Sequence, residues 1–235
     1  MPGGQTTTNE EKEIAAMISG INHVSTQDEL DQALADRADV IYIDSDPGVW
    51  LSVADSGSAR VVASGSSHVE ARDSAYVKAS GDARVKASGS AYIEAWGSSR
   101  IEASGSSHVE AWGSARVEAW GSAHVIASGS ARVEARDSAR VVALESAHVK
   151  AWDSSRIEAW DSVRIEAGDS AYVKASGSTH VKAWGSARIE ASGYAHIEAS
   201  KYVAVHQHSR NVTLDAKGAV IDMTAVDLND PEVVS

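Results

Sequence analysis

Gly105-Ser-Ser-His-Val-Glu-Ala-Trp112 runs without a gap into Gly113-Ser-Ala-Arg-Val-Glu-Ala-Trp120, and the reading of these two octads decides the fold. The same unit, Gly/Asp-Ser-Ala/Ser-Arg/His/Tyr-Val/Ile-Glu/Lys-Ala-x with x mostly Ser or Trp, fills residues 57–200, eighteen copies in 144 residues. A fixed short period overrides the one or two ordinary domains that 235 residues suggest. Inside each copy, small or branched apolar residues at positions three, five and seven alternate with long polar ones at four and six. That is strand periodicity, since a helix would spread the charges around its circumference and bury some of them. The Gly/Asp-Ser pair at each boundary is turn chemistry: Gly takes unusual backbone angles, while Asp and Ser bond to nearby backbone.

Each octad is therefore one short strand and one corner. A single strand cannot bury its Val, but stacked coils can. Two octads per coil make a flattened solenoid of two parallel sheets, and three make a triangular one. The thin Ala-Val-Ala filling favours two close sheets, hence an all-β parallel β-solenoid (β-helix) of about 16 residues per coil. At roughly 4.8 Å between strands, eighteen octads give nine coils and a rod of about 43 Å.

The flanks read as caps. Residues 1–9 are polar and predicted disordered. Residues 10–56 form an N-terminal helical cap and first coil. Within it, Glu10 to Ile21 suits a short amphipathic helix, and Ser25-Thr26-Gln27-Asp28-Glu29 opens a second with acids at capping-box spacing. Leu30, Ala33 and Leu34 form its apolar stripe. Val40-Ile41-Tyr42-Ile43 and Val49, Leu51 and Val53 then alternate as strands. After the repeat, residues 201–235 form a C-terminal β cap and tail. Its strands are expected in Lys201–His208 and around Val212-Thr-Leu214 and Val220-Ile221, with Asn229–Ser235 loose. A solenoid needs such caps because unpaired edge strands recruit other chains.

Charge separates the caps from the rod. Of the net −12, residues 1–56 carry 11 acids and 2 bases, residues 57–200 carry 17 and 16, and residues 201–235 carry 5 and 3. The rod is near neutral, which argues against a nucleic-acid mimic and against nucleic-acid binding in general. With no cysteine, disulfides and thiolate metal sites are excluded. Neither a leader peptide nor a membrane span is read from the sequence, so the expected location is cytoplasmic, with carriage on a virion as the alternative.

The octad, together with Asp28-Glu29-Leu30, Ala33-Leu34-Ala35 and Lys201-Tyr-Val-Ala-Val-His-Gln-His208, resembles octapeptide-repeat β-solenoid proteins of actinobacteria and their phages. The resemblance implies the fold and the source, and no activity. The coils are also similar, more weakly, to the repeats of bacterial ice-nucleation proteins, with their 16-residue coils and aromatic-Gly-Ser corners. Ice-binding faces present rows of Thr, whereas these repeats hold only Thr179, so no ice binding is expected.

Candidate sites must be exceptions, because a residue copied eighteen times is not one active site. The Ser-Ala-His and Ser-Ser-His triplets place Ser at corners and His in a general outward slot, so no catalytic residue is assigned. His206 and His208 share a strand face with His196 near in sequence, but no third ligand has convincing spacing, so no metal site and no cofactor are assigned. In a 16-residue register Arg84, Arg100, Arg116 and Arg132 stack, with Glu102, Glu118 and Glu134 as a neighbouring column offsetting their charge. Position six is charged except at Val62, Ile126 and Val142, and position eight holds Leu only at Leu144. Ile126, Val142 and Leu144 then fall on one face, bracketed by Trp112 and Trp160, as an apolar partner-binding patch. Trp96, Trp120, Trp152 and Trp184 add aromatic corners that either shield turns or stack on sugars.

The expectation is a non-enzymatic structural or interaction protein that self-associates as a homo-oligomer or docks a protein partner. The alternatives are a phage-type inhibitor mimicking nucleic acid and a spike-like carbohydrate-binding module. Association with a membrane is not expected.

Overall fold

The computed structural model describes residues 21–224. Strand β1 (Ile21–Val24) leads into helix α1 (Gln27–Ala35), then β2 (Val40–Ile43) and β3 (Trp50–Val53). Each of the eighteen octads holds one four-residue strand, from β4 (Arg60–Ala63) to β21 (His196–Ala199), and β22 (Ala204–Gln207), β23 (Thr213–Ala216) and β24 (Ala219–Asp222) close the stack. The first expected helix lies outside the described residues except for Ile21, which opens β1. The expected disorder of residues 1–9 and the looseness of Asn229–Ser235 also lie outside them.

The strands alternate between two parallel sheets, thirteen in one and eleven in the other. The coil is about 16 residues, as the pairings His108 with His124 and Arg116 with Arg132 show. Side-chain period two then sends every position-five Val or Ile inward. Ile93, Val125, Ile157 and Ile189 are fully enclosed, and the flanking alanines fill the space that larger residues could not share.

Corners obey a stricter rule than turn propensity. The first residue of every octad from Gly57 to Gly193 is left-handed, with φ of 67° at Gly113 and 54° at Asp137. A non-Gly residue there costs about 1–2 kcal/mol. Expected local bonding by these aspartates is replaced by a longer reach that offsets that cost. Asp137 accepts from the Gly121 N–H at 2.9 Å, Asp153 from the Asp137 N–H at 3.2 Å, and Glu145 from the Gly129 N–H at 2.9 Å. Each carboxylate bonds back onto the coil before it, which the sequence alone cannot reveal.

Within the N-terminal cap, helix α1 is built as its sequence indicates. Glu29 accepts from the Ser25 and Thr26 N–H groups at 2.7 and 3.2 Å, and Thr26 Oγ1 accepts from the Glu29 N–H at 3.3 Å. The Ser25 backbone bond is the main reason the Glu29 carboxyl sits below its usual range. Leu30 and Ala33 are buried over the first coil and Leu34 is partly buried. Gln27 also donates to the Ser52 carbonyl at 3.0 Å and accepts from its N–H at 2.8 Å, pairing the outer edge of β3 with a side chain. That edge is thereby blocked to another strand.

Five octads place a hydroxyl at position three, where the others put Ala or, at Val163, Val, and the first of them is satisfied, the Ser67 hydroxyl donating to the Ser64 carbonyl at 2.7 Å. The Ser99, Ser107 and Ser155 Oγ atoms and Thr179 Oγ1 are buried without a hydrogen-bond partner. A buried unbonded polar group costs about 1–3 kcal/mol. Ser155→Ala, which restores the repeat, is therefore expected to raise stability by about 1 kcal/mol in urea unfolding.

Candidate functional site: the outer faces of the two sheets

The 16-residue coil gives the two sheets different outer surfaces. On the thirteen-stranded sheet, position four stacks Tyr76, Tyr92, His108 and His124, whose ring centroids are 5.5, 5.0 and 4.8 Å apart in succession. The Tyr76 and Tyr92 hydroxyls donate to Glu94 and Glu110 on the next strands. Tyr172 is matched to Glu190 in the same way, and burial with this carboxylate pushes its phenol up to about 12. Burial also lowers the His124 imidazole, with His108 and Arg140 adding to the effect.

Directly beside this aromatic ladder lies the strip expected from the repeat's exceptions. Ile126 in β12 (His124–Ala127) pairs in register with Val142 in β14 (Arg140–Ala143), and the strip sits between Glu110 and Glu158 in the same column. Leu144 follows two residues after Val142. Trp112 and Trp160 lie one coil either side of the Ser128–Leu144 pair in the position-eight column. Ile126, Val142, Leu144 and Trp112 are half-buried and Trp160 is exposed. The five residues therefore share one side of the rod, but as a shallow ribbon rather than fully projecting side chains. Trp112 is partly covered by Trp96, stacked on it with centroids 4.3 Å apart.

The eleven-stranded sheet is the more densely charged. Arg84, Arg100, Arg116 and Arg132 stack in register, as expected. Their compensation differs from the expected cross-column pairing. Ion pairs run along position six, Lys86 to Glu102 at 4.0 Å, Lys150 to Glu166 at 3.8 Å and Lys182 to Glu198 at 3.2 Å, and from position eight, Arg72 to Glu70 at 2.5 Å and Arg136 to Glu134 at 3.9 Å. Among the described residues these four arginines form no ion pair within 4.0 Å. Three of them instead line a shallow groove with Ser98, Ser114 and Ser130. The other corner closes over itself: the Trp184 and Trp152 indoles come so near Gly168 that a Cβ there would lie 2.6 and 3.4 Å from their ring atoms. Arg136 lies 5.2 Å over the Trp152 ring. The Trp152 and Trp184 indoles thus pack against this turn, with Trp184 still 40% exposed.

The histidines singled out by sequence are not brought together. His206 lies in the thirteen-stranded sheet beside Glu190 and Ile221, whereas His196 lies in the other sheet beside His180. Ser107 of the Ser-Ser-His triplet keeps its hydroxyl buried without a partner rather than turning it toward His108. Sequence reading missed the Tyr-His ladder, although its members lie sixteen apart, because their column has meaning only once the coil period is set. It also missed the apolar C-terminal edge, where Val220 and Ile221 are 43% and 45% exposed. Among the described residues, no helix is long and apolar enough to cross a membrane. No family model matches this chain, and neither a curated protein nor a solved structure matches it.

Proposed function

We propose that the chain is a non-enzymatic scaffold, a rigid β-solenoid that self-associates through the outer face of its thirteen-stranded sheet. The observation that carries this reading is the in-register pair Ile126–Val142, which replaces the charged column by an apolar strip. Leu144, Trp112 and Trp160 extend the strip along one corner. The aromatic ladder ending at His124 adjoins it, so the apolar character spans several coils.

Apolar surface gains free energy on burial in rough proportion to the area covered, about 25 cal/mol per Å². The rod supplies flatness and rigidity, which lower the ordering cost of association. Charges of both signs border the strip, Glu110 and Glu158 along the column and Arg140 beside it. That border favours neither an acidic nor a basic partner, whereas a second copy offers an apolar strip of the same length. A two-fold contact between identical patches is the commonest form of closed oligomer.

Glu is the usual residue at position six, so Ile126→Glu with Val142→Glu restores the repeat and leaves the core untouched. Native mass measurement should show the double variant as a single chain of 24.6 kDa under conditions where the parent assembles. An unchanged oligomer in the folded double variant contradicts self-association through this face.

A further inference from the structure

The eleven-stranded sheet holds one cluster that the rod's architecture does not require. His180 in β19 (His180–Ala183) pairs in register with His196 in β21 (His196–Ala199), and Glu198 lies two residues beyond His196 on the same outward face. Period two on one strand and parallel register between two strands thus aim three side chains at one point. Glu198 Oε1 lies 3.0 Å from His180 Nε2 and 3.9 Å from His196 Nε2. One ligand-type atom from each residue falls within 4.8 Å of the others, the only such trio among the described residues.

We propose that His180, His196 and Glu198 form a binding site for a divalent transition-metal ion of the zinc class. Two imidazole nitrogens and one carboxylate oxygen are the ligand set of open zinc sites, with the fourth position left to water. Tetrahedral bonds of about 2.0–2.1 Å place ligand atoms roughly 3.3 Å apart. The two Oε1 separations straddle that value, so sub-ångström shifts of exposed side chains complete the geometry. All three side chains are about 40% exposed, which leaves an entry path from solvent.

Lys182 makes the site more than a chance meeting of exposed groups. Its Nζ holds the other carboxylate oxygen, Oε2, at 3.2 Å and leaves Oε1 turned toward the imidazoles. A group that fixes a ligand's orientation without occupying its donor atom is what metal sites use to preset their geometry.

The chain contains its own control. His108 and His124 form a neighbouring in-register pair on the other sheet, their rings tilted by 46° and their Nδ1 atoms 3.1 Å apart. There the position matching Glu198 is Ile126, and Glu110 is engaged by Tyr92. An imidazole pair without the carboxylate should bind far more weakly.

Calorimetric titration of the tag-free chain with zinc sulfate tests the assignment. One saturable site per chain is expected, retained in His124→Ala, weakened at least tenfold in Glu198→Gln, and lost in His180→Ala/His196→Ala. All these positions point outward, and circular dichroism verifies that each variant remains folded. Absence of saturable binding in the parent overturns the proposal, as does binding that survives intact in the His180→Ala/His196→Ala variant.

Discussion

Deletion of residues 129–136, a single octad, is expected to give a folded solenoid that no longer self-associates. The core is indifferent to such a deletion, because Ala-Val/Ile-Ala fills both sheets alike and each later strand moves to the opposite sheet. The outer surface is not indifferent. Ile126 and Val142, paired in the parent, land on opposite faces of the rod, and the strip is divided. Deleting residues 161–176 removes one whole coil, preserves every later strand's sheet, and leaves the strip whole. The two shortened chains should therefore show the same β-sheet circular dichroism but different oligomeric states in native mass spectrometry, a single chain for the first and an assembly for the second. The same oligomeric state for both would mean that the Ile126–Val142 pairing does not direct assembly.

The second large effect concerns the core. Ile157 is fully enclosed and stacks between Val141 and Val173 in its sheet. Its closed surroundings offer an aspartate no cation and no free donor, since the backbone groups there serve the ladder. A buried unpaired charge costs several kcal/mol, against a typical total stability of about 5–15 kcal/mol. In a stack where each coil touches only its neighbours, such a defect need not unfold the whole chain. Ile157→Asp should instead uncouple the coils on either side, giving two urea transitions by circular dichroism and a new protease-sensitive point near residue 157. Arg156→Asp, one residue away but outward, should leave a single transition within about 0.5 kcal/mol of the parent.

The contrast between these two predictions shows what the chain declares in sequence and what it does not. Strand, corner and inward face are repeated eighteen times, so the alternation of Val117 with Arg116 and Glu118 is enough to place each of them. The capping box at Thr26 and Glu29 is equally local, and it forms as read. The coil period rested on the thinness of an Ala-Val-Ala core, and Ile126–Val142 follows directly from it. Long-range chemistry was less legible. The carboxylate of Asp137 looked like a local turn bond and instead caps Gly121 a full coil away. The arginine column looks compensated in sequence by Glu102, Glu118 and Glu134, but Lys86 pairs with Glu102 and Arg136 with Glu134. The His180–His196–Glu198 trio is hidden in sequence by His206 and His208, which are closer to His196 along the chain, although His206 lies on the other sheet and His208 just past the end of its strand. In each case a partner is chosen by sheet and coil rather than by distance along the chain.

Apart from its ends and these irregular columns, the rod is a uniform support whose surface says little. Its proposed purpose is assembly through the one face where the repeat turns apolar. Sedimentation equilibrium of the unaltered chain over a wide concentration range tests this most directly. The prediction is a mass that rises with concentration from 24.6 kDa to a whole-number multiple of it. A mass that stays at 24.6 kDa throughout contradicts the account.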